Sequence, residues 1–439
     1  QLGGVHLACE QASNVLTKVL EWGRLMSYLE QSTRYIAYDA RIGGRYRFHR
    51  DPGVLGSPLG TRYVGEMDRL FDTYAELLPK LTEFFRVQFP KDPDDSDFVY
   101  RQATRAKAFD ALRGLLPAAS LSNVGIYGTG QAYEALLLRM RSHPLPEART
   151  YADLILHELR KVIPSFLKRV DLADRGVAWS TYLATNRTAM DEVADRLFPA
   201  DTPADGAPVV TLTDFDPEAE VKLVTAMLYA HTHVPETQVE ARVRAMSAQD
   251  RLGVVAAYVG DRSNRRHRPG RALERIDYRF DVLADYGAFR DLQRHRMLTV
   301  EWQQLSPRHG FTRPESIDLA GETETFDAAM ARSAALHDLL EPRFPAQAPY
   351  AVALAYKVRF VMQMNAREAM HVLELRSGPQ GHPAYREVAQ QMHRLVAEQA
   401  GHHAVAEMMR YVDHAPEPSL ERLEAERRAE ARRSGGSTP

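Results

Sequence analysis

One cysteine, Cys9, is the whole thiol content of this 439-residue chain. That excludes an internal disulfide and any Cys-rich metal site, and it fits a reducing, cytoplasmic setting. No apolar run approaches the roughly 18 residues of a membrane-spanning helix. Neither sign of charge dominates: 56 Lys and Arg stand against 58 Asp and Glu, for a net charge of −2. Composition therefore asks for neither a nucleic acid nor a membrane partner, and the only basic cluster runs from Arg265 to Arg271. Gly125, Gly128 and Gly130 lack the spacing of a dinucleotide fingerprint or a P-loop. The 16 histidines include His382, His402 and His403, but none shows convincing ligand spacing, so no metal is expected. No Ser-His-Asp arrangement follows from residue order. Because the chain begins at Gln1 rather than Met, the first half reads as N-terminally incomplete.

What is present is a repeat. Phe71-Asp72 is followed by Leu77, Leu78 and Leu81 and then by Phe89-Pro90; Phe326-Asp327 is followed by Leu336, Leu339 and Leu340 and then by Phe344-Pro345. Each segment carries apolar residues at helical spacing and a proline stop. A helix-like stretch holding an arginine follows each, Leu138-Arg139 and Leu375-Arg376, and the halves close on Arg169-Val170-Asp171 and Tyr411-Val412-Asp413. Preserved order over a period of about 250 residues indicates duplication. We read residues 1–200 as a first domain, 201–208 as a Pro/Gly/Asp linker, 209–415 as a second domain and 416–439 as a charged, disordered tail. The fold class is mixed α/β. Short strands are expected at Val209–Leu212 and Arg275–Leu283, the latter with Ile276, Tyr278, Phe280 and Val282 facing one way. The acidic stretch from Lys91 to Tyr100 reads as a loop.

Arg294-His295-Arg296 carries the strongest chemical signal. Two guanidiniums flanking an imidazole repel each other unless an anion or an electron-rich ring sits between them. Thr299 and then Ser306-Pro307-Arg308 follow, hydroxyls and a guanidinium that suit a second anion. In the first half, Ser27, Glu30, Ser32 and Arg34 occupy a loop-like run able to hold a sugar phosphate; solvated polar groups at a helix end are the plain alternative. Arg139 and Arg376 lie among leucines and need either an anion or a route to water. Arg265-Arg266-His267-Arg268 reads as a solvated loop or a phosphate clamp. Asn365 and His371 stand six residues apart, off a common helical face.

These residues resemble the flavin-dependent thymidylate synthases, whose motif has the form RHRxxSxNExSxRY. Half two keeps Arg294-His295-Arg296 and has Thr299 at the first Ser position; Ser306 and Arg308 match the later Ser and Arg only with two residues inserted, and Glu301-Trp302 stands where Asn-Glu is usual. Half one has Trp22-Gly23-Arg24 in place of RHR, yet Ser27, Glu30, Ser32, Arg34 and Tyr35 fit the rest. Asn365-Ala366-Arg367, His371 and Arg376 resemble further family positions, His371 departing from Asn, and His267 falls near the family's upstream histidine. In half one Arg139 and His143 fit, with Gly128 and Glu134 in place of two asparagines.

The resemblance implies two tandem domains forming a pseudo-dimer, and a homodimer that rebuilds a tetramer. It implies FAD as cofactor, held by Arg294, His295, Arg296, Thr299, Asn365, His371 and His267. NADPH and methylenetetrahydrofolate would be co-substrates. The pyrimidine nucleotide dUMP would be held by Glu30, Ser32, Arg34, Ser306 and Arg308, with Arg376 or Arg139 against its base as the catalytic arginine. Two further readings stand beside reductive methylation of dUMP: a flavoenzyme acting on another pyrimidine nucleotide, and a non-catalytic flavin- or nucleotide-binding protein.

Overall fold

Period-2 burial builds the sheets. Strands β3 (Leu121–Thr129) and β7 (Lys357–Asn365) alternate inward and outward side chains along their length. Each is an inner strand of an antiparallel sheet. The first sheet runs β1-β3-β2, with β1 (Gly4–Ser13) and β2 (Met26–Glu30) on either side of β3. The second runs β4-β5-β7-β6, adding β4 (Val210–Phe215), β5 (Asp277–Asp285) and β6 (Thr299–Trp302). The computed structural model describes residues 3–199, 202, 206, 208–415, 420 and 422–435.

The strands expected at Val209–Leu212 and Arg275–Leu283 are β4 and β5, and Ile276, Tyr278, Phe280 and Val282 are all buried. The mixed α/β class holds. Two local expectations change. The run from Ser27 to Glu30 is not loop but strand, paired to β3 from Met26↔Gly128 to Glu30↔Val124. The acidic stretch is loop only as far as Ser96, whose hydroxyl accepts from the Val99 amide at 3.2 Å and starts a helix at Asp97. Most of the linker lies outside the described residues. Within the tail, Leu423–Gly435 is helical.

The helices used below are α1 (Asn14–Leu20), α2 (Gly60–Gln88), α3 (Asp97–Leu112), α4 (Gly130–Arg141), α5 (Ala178–Leu197), α6 (Tyr286–Leu292), α7 (Thr323–Leu340), α8 (Ala366–Arg376) and α9 (Pro383–Glu398). They fall into two units: Gln1–Gly206 with Gln304–Lys357, and Ala207–Gln303 with Val358–Pro439. The second repeat is thereby divided. Its long helix α7 packs on α2, its counterpart from the first repeat. Tyr63, Met67, Leu70, Phe71, Tyr74, Leu77, Leu81 and Phe85 of α2 are buried at helical spacing, as are Phe326, Met330, Leu336 and Leu340 of α7. Burying each such side chain contributes about 1.5–3 kcal/mol, so two apolar stripes from different repeats belong together.

Beside these helices the repeats exchange backbone hydrogen bonds. Ala118 and Ala119 amides donate to Val352 and Tyr350 carbonyls at 2.8 and 3.1 Å, while Leu354 and Ala355 amides donate to Leu116 and Gly114 at 2.9 and 3.0 Å. Glu147 closes the same unit: its carboxylate accepts from the Ser13 amide at 2.9 Å, the Ser13 hydroxyl at 2.6 Å and the Tyr350 hydroxyl at 2.6 Å. In the second unit α9 lies against β4 and β5, and α8 lies against α9. Among the described residues no helix is long and apolar enough to cross a membrane.

A Cβ at Gly114 would stand 2.9 Å from the Ala355 Cβ, with backbone behind it. Gly114→Val should therefore force the paired segments apart and cost about 1–3 kcal/mol. Gly65, exposed on α2 with open space around it, is the control: Gly65→Ala should raise stability by up to about 1 kcal/mol. Thermal unfolding of the two variants should move in opposite directions.

Candidate functional site

Helix α8 and the turn after α6 bring one cluster together in the second unit. Asn365 caps α8, accepting from the Glu368 amide at 2.9 Å. This points Glu368 and His371 inward from the first two turns and leaves Arg376 in the last. The turn after α6 supplies Arg294 and His295. Arg376 Nε donates to His295 Nε2 at 2.8 Å and its guanidinium lies 5.5 Å from the Tyr385 ring centroid. His295 Nδ1 faces Glu368 at 3.6 Å, and the His295 and His371 rings meet edge-on at 5.4 Å. Arg268 Nη2 donates to His371 Nδ1 at 2.7 Å. Arg294 pairs with Asp291 three residues back.

A guanidinium only donates, so each ring nitrogen it meets must be an acceptor. The protons of neutral His295 and His371 therefore sit on Nδ1 and Nε2. The ligating atoms of His295, Glu368 and His371 lie within 4.8 Å of one another, close enough to surround a cation. The arginines argue against one. They occupy one nitrogen of each ring and leave the proton on the other, and their own charges repel a cation.

Burial sets the charge of the cluster. It pushes His295 well below the usual imidazole range and His371 down to about 4, with Arg268, Arg265 and Arg376 adding to the latter shift. It raises Glu368 to about 7, against the pull of Arg268, Arg367 and Arg296. Between pH about 4 and about 7, Glu368 and His371 are both neutral while the guanidiniums stay charged. The cluster is a positive site with flat neutral rings.

The other candidate residues are placed as follows. Arg296 is exposed beside this cluster, and Thr299 is exposed at the start of β6. Asn365 spends its side-chain oxygen on the cap. His267 faces Ser263, Nδ1 to Oγ at 3.3 Å, and it is its neighbour Arg268 that reaches the cluster. Ser306 and Arg308 belong to the first unit; Ser306 accepts from the Arg308 amide and Arg308 pairs with Glu341 at 3.2 Å.

In that first unit Glu30 is buried at the end of β2, 3.3 Å from Lys18 Nζ, which also holds Glu21 at 2.5 Å. Arg34 forks onto Asp110 at 2.7 and 2.5 Å, and Ser32 accepts from the Arg34 amide at 3.2 Å. Arg139 donates to the Val19 carbonyl at 2.7 Å and stacks on Trp22 at 4.7 Å. Burial lowers it to about 10, and its Nε is buried with no hydrogen-bond partner among the described residues. Trp22 stands where the second repeat has Arg294, so Arg139 and Arg376 meet corresponding turns of the two repeats.

Two stretches of the chain, residues 3–165 and 211–402, match one protein family, described as thymidylate synthase complementing protein. The chain belongs to that family. A UPF0159 protein of Chlamydia muridarum is 36% identical over 433 residues, covering 98% of this chain and 81% of that one. A UPF0159 protein of Thermoplasma acidophilum is 29% identical, covering 99% and 90%. Among solved structures, a UMP/dUMP methylase from Streptomyces cacaoi bound with 5-Br dUMP covers 46% of this chain and 97% of its own at 18% identity, with a TM-score of 0.34. That likeness is too loose to argue from.

Within this member of the family, sequence reasoning missed Glu368. Three residues after an Asn cap, a glutamate reads as the second half of a capping box. Its side chain instead lies against His295. The strands also settle an alignment. Gln31 and Gln303 amides donate to Asn123 and Arg359 at 2.9 Å each, in matching positions after β2 and β6. Trp302 therefore occupies the place of Glu30 with no insertion, and packs 5.3 Å from Phe289.

Ionised Glu368 would offset the positive charge of the cluster. Affinity for pyrophosphate, used as a simple anion, should fall as pH rises through about 7, and Glu368→Gln should flatten that dependence in a calorimetric titration. Stability follows the same signs. Glu368 holds its proton more tightly when folded, so its contribution is present in acid and lost as pH rises through about 7. His371 contributes above about 6.5 and loses that contribution as pH falls through about 4.

Proposed function

We propose that this chain is a flavin-dependent, thymidylate synthase-like enzyme: a reductive methylation of dUMP at C5, with FAD as cofactor and NADPH and methylenetetrahydrofolate as co-substrates. One observation carries the reading. In a member of the thymidylate synthase complementing family, Arg294, His295, Glu368, His371, Arg268 and Arg376 form a single cluster around the buried His295 and Glu368, cationic at neutral pH and lined by two uncharged rings.

That donor set fits FAD. Arg268, Arg294 and Arg296 supply guanidinium forks for phosphate oxygens, and His295 and His371 supply flat faces. When bound, FAD supplies the hydride chemistry. The protein's own part is positioning and electrostatics. Arg376 orients His295 through the 2.8 Å hydrogen bond. In the first repeat Arg139, without a carboxylate beside it and with an open Nε, favours negative charge on a pyrimidine as C5 becomes nucleophilic. Ser32, Glu30 and Arg34 are the nucleotide contacts we propose. For Arg34 to take a phosphate it must first give up Asp110.

The repeats have lost opposite ends of the same motif. Trp302 replaces Glu30 in the second repeat and Trp22-Gly23 replaces Arg294-His295 in the first. The first repeat keeps the nucleotide segment and the second keeps the flavin segment.

The test starts with an absorbance spectrum of the purified chain, alone and after addition of FAD and dUMP. Near-stoichiometric flavin bands that dUMP perturbs are expected; no FAD uptake at saturation overturns the reading. Losing two charged contacts costs about 3 kcal/mol, so the double variant Arg294→Ala, Arg296→Ala should bind FAD more than a hundredfold more weakly. Arg139→Ala should keep its FAD and lose about a hundredfold or more in kcat, read as release of the C5 proton of dUMP. Arg376→Ala should lose both, because His295 loses its partner.

A further inference from the structure

The exposed loop that carries Arg265, Arg266, His267 and Arg268 is shaped by a buried guanidinium. Arg262 is 3% exposed, and each of its five N–H groups has an acceptor. Nε donates to the His267 carbonyl at 2.5 Å. Nη1 donates to Glu374 Oε1 at 2.7 Å and to the Met408 carbonyl at 2.6 Å. Nη2 donates to Glu374 Oε2 at 2.7 Å and to the Arg265 carbonyl at 3.4 Å. The loop therefore curls around its own arginine. The Arg262 carbonyl in turn accepts from the Arg410 guanidinium and the Tyr411 hydroxyl. Glu374 is likewise 3% exposed, on α8. Two further contacts tie the same loop to that helix. Arg268 meets His371 at 2.7 Å, and Arg367 Nε donates to the Pro269 carbonyl at 3.1 Å. Arg367, His371 and Glu374 stand at i, i+4 and i+7, so one face of α8 holds the loop at three successive levels.

We propose that Arg262 and Glu374 are positioning residues for anion recognition: their buried pair fixes the loop along α8 and so keeps Arg268 on His371, at the rim of the cluster. A buried ion pair adds little net stability over an apolar replacement of the same volume, so its use lies in the geometry it imposes. Here that geometry is specific. Arg265, Arg266 and Arg268 lie within four residues and repel one another, and an exposed loop without an anchor would spread them apart. Wrapped on Arg262, the loop presents its cations in place, and a phosphate-bearing anion binds without the cost of ordering them. Glu374 does this without altering the charge of the cluster, because both of its oxygens are taken up by one guanidinium. Lysine could not substitute, since it lacks the planar fork. The inference rests on the cationic cluster as an anion site and not on the reaction performed there.

The double variant Arg262→Met, Glu374→Met tests it in the full chain. It leaves no lone buried charge and no change in net charge, so helical circular dichroism should persist. Pyrophosphate, titrated calorimetrically, should bind at least tenfold more weakly than to the wild type. The second readout is the titration of His371, followed by the NMR signal of its ring and assigned by the loss of that signal in His371→Gln. In the wild type, burial and then Arg268, Arg265 and Arg376 hold His371 down at about 4, with the His295 ring edge-on beside it. With the loop released, the midpoint should climb toward the ordinary value of about 6.5, as it should in Arg268→Ala. Arg262→Lys keeps the charge but offers three donors in place of five, and should move both readouts the same way. It decides the matter if the double variant does not fold. An unchanged His371 midpoint in a folded variant would overturn the proposal even where pyrophosphate binds the wild type. A wild type that takes up no pyrophosphate would overturn the anion site itself, and with it the role assigned to the pair.

Discussion

The antiparallel backbone pairing between residues 114–119 and 350–355 is the constraint on which the rest depends. Four hydrogen bonds of 2.8–3.1 Å join equivalent segments of the two repeats around the Pro117↔Ala353 bridge. Each segment runs on in sequence into an inner strand of its own sheet, β3 or β7. Each of those strands runs into a helix carrying one of the two buried arginines, Arg139 or Arg376. A Cβ at Gly114 would press on this pairing, 2.9 Å from the Ala355 Cβ. The packing of α7 on α2 and the Glu147 network with Ser13 and Tyr350 hold the same junction from other sides.

Duplication relaxes the usual requirement that every copy of a site be complete. In the first repeat Arg139 meets Trp22 and the Val19 carbonyl, with the Tyr28 phenol rather than a carboxylate acting on its charge. In the second, the counterpart Arg376 meets His295, and through it Glu368 and His371. The same scaffold thus offers one cation largely without a counter-ion and another embedded in a network whose carboxyl changes charge near neutral pH. These environments suit different tasks: a fixed charge against a ligand in the first, and ligand binding that depends on proton state in the second.

Much was legible in the sequence because the signals are local. Helical spacing in α2 and α7, alternation in β5, and the order of motifs in two halves can be read without knowing what packs against what. The site was legible only in part. Arg294, His295, His371 and Arg376 share a cluster, as their chemistry suggested, but Arg268 rather than His267 completes it. Ser306 and Arg308 are engaged with each other and Glu341 in the other unit. Arg34 and Glu30, expected as nucleotide contacts, carry ion pairs to Asp110, 76 residues on, and to Lys18 on a neighbouring helix.

The sequence alone determined the duplication, the mixed α/β class, the lack of an internal disulfide and the presence of an Arg-His-Arg cluster, since each is a matter of composition, periodicity or order along the chain. Only the tertiary structure decided which charges are already paired, which way the imidazole protons point, and that Glu368 is a buried carboxyl near neutrality rather than a helix cap. Those properties depend on burial and on partners distant in sequence, because the energy of a charge is set by what surrounds it in space.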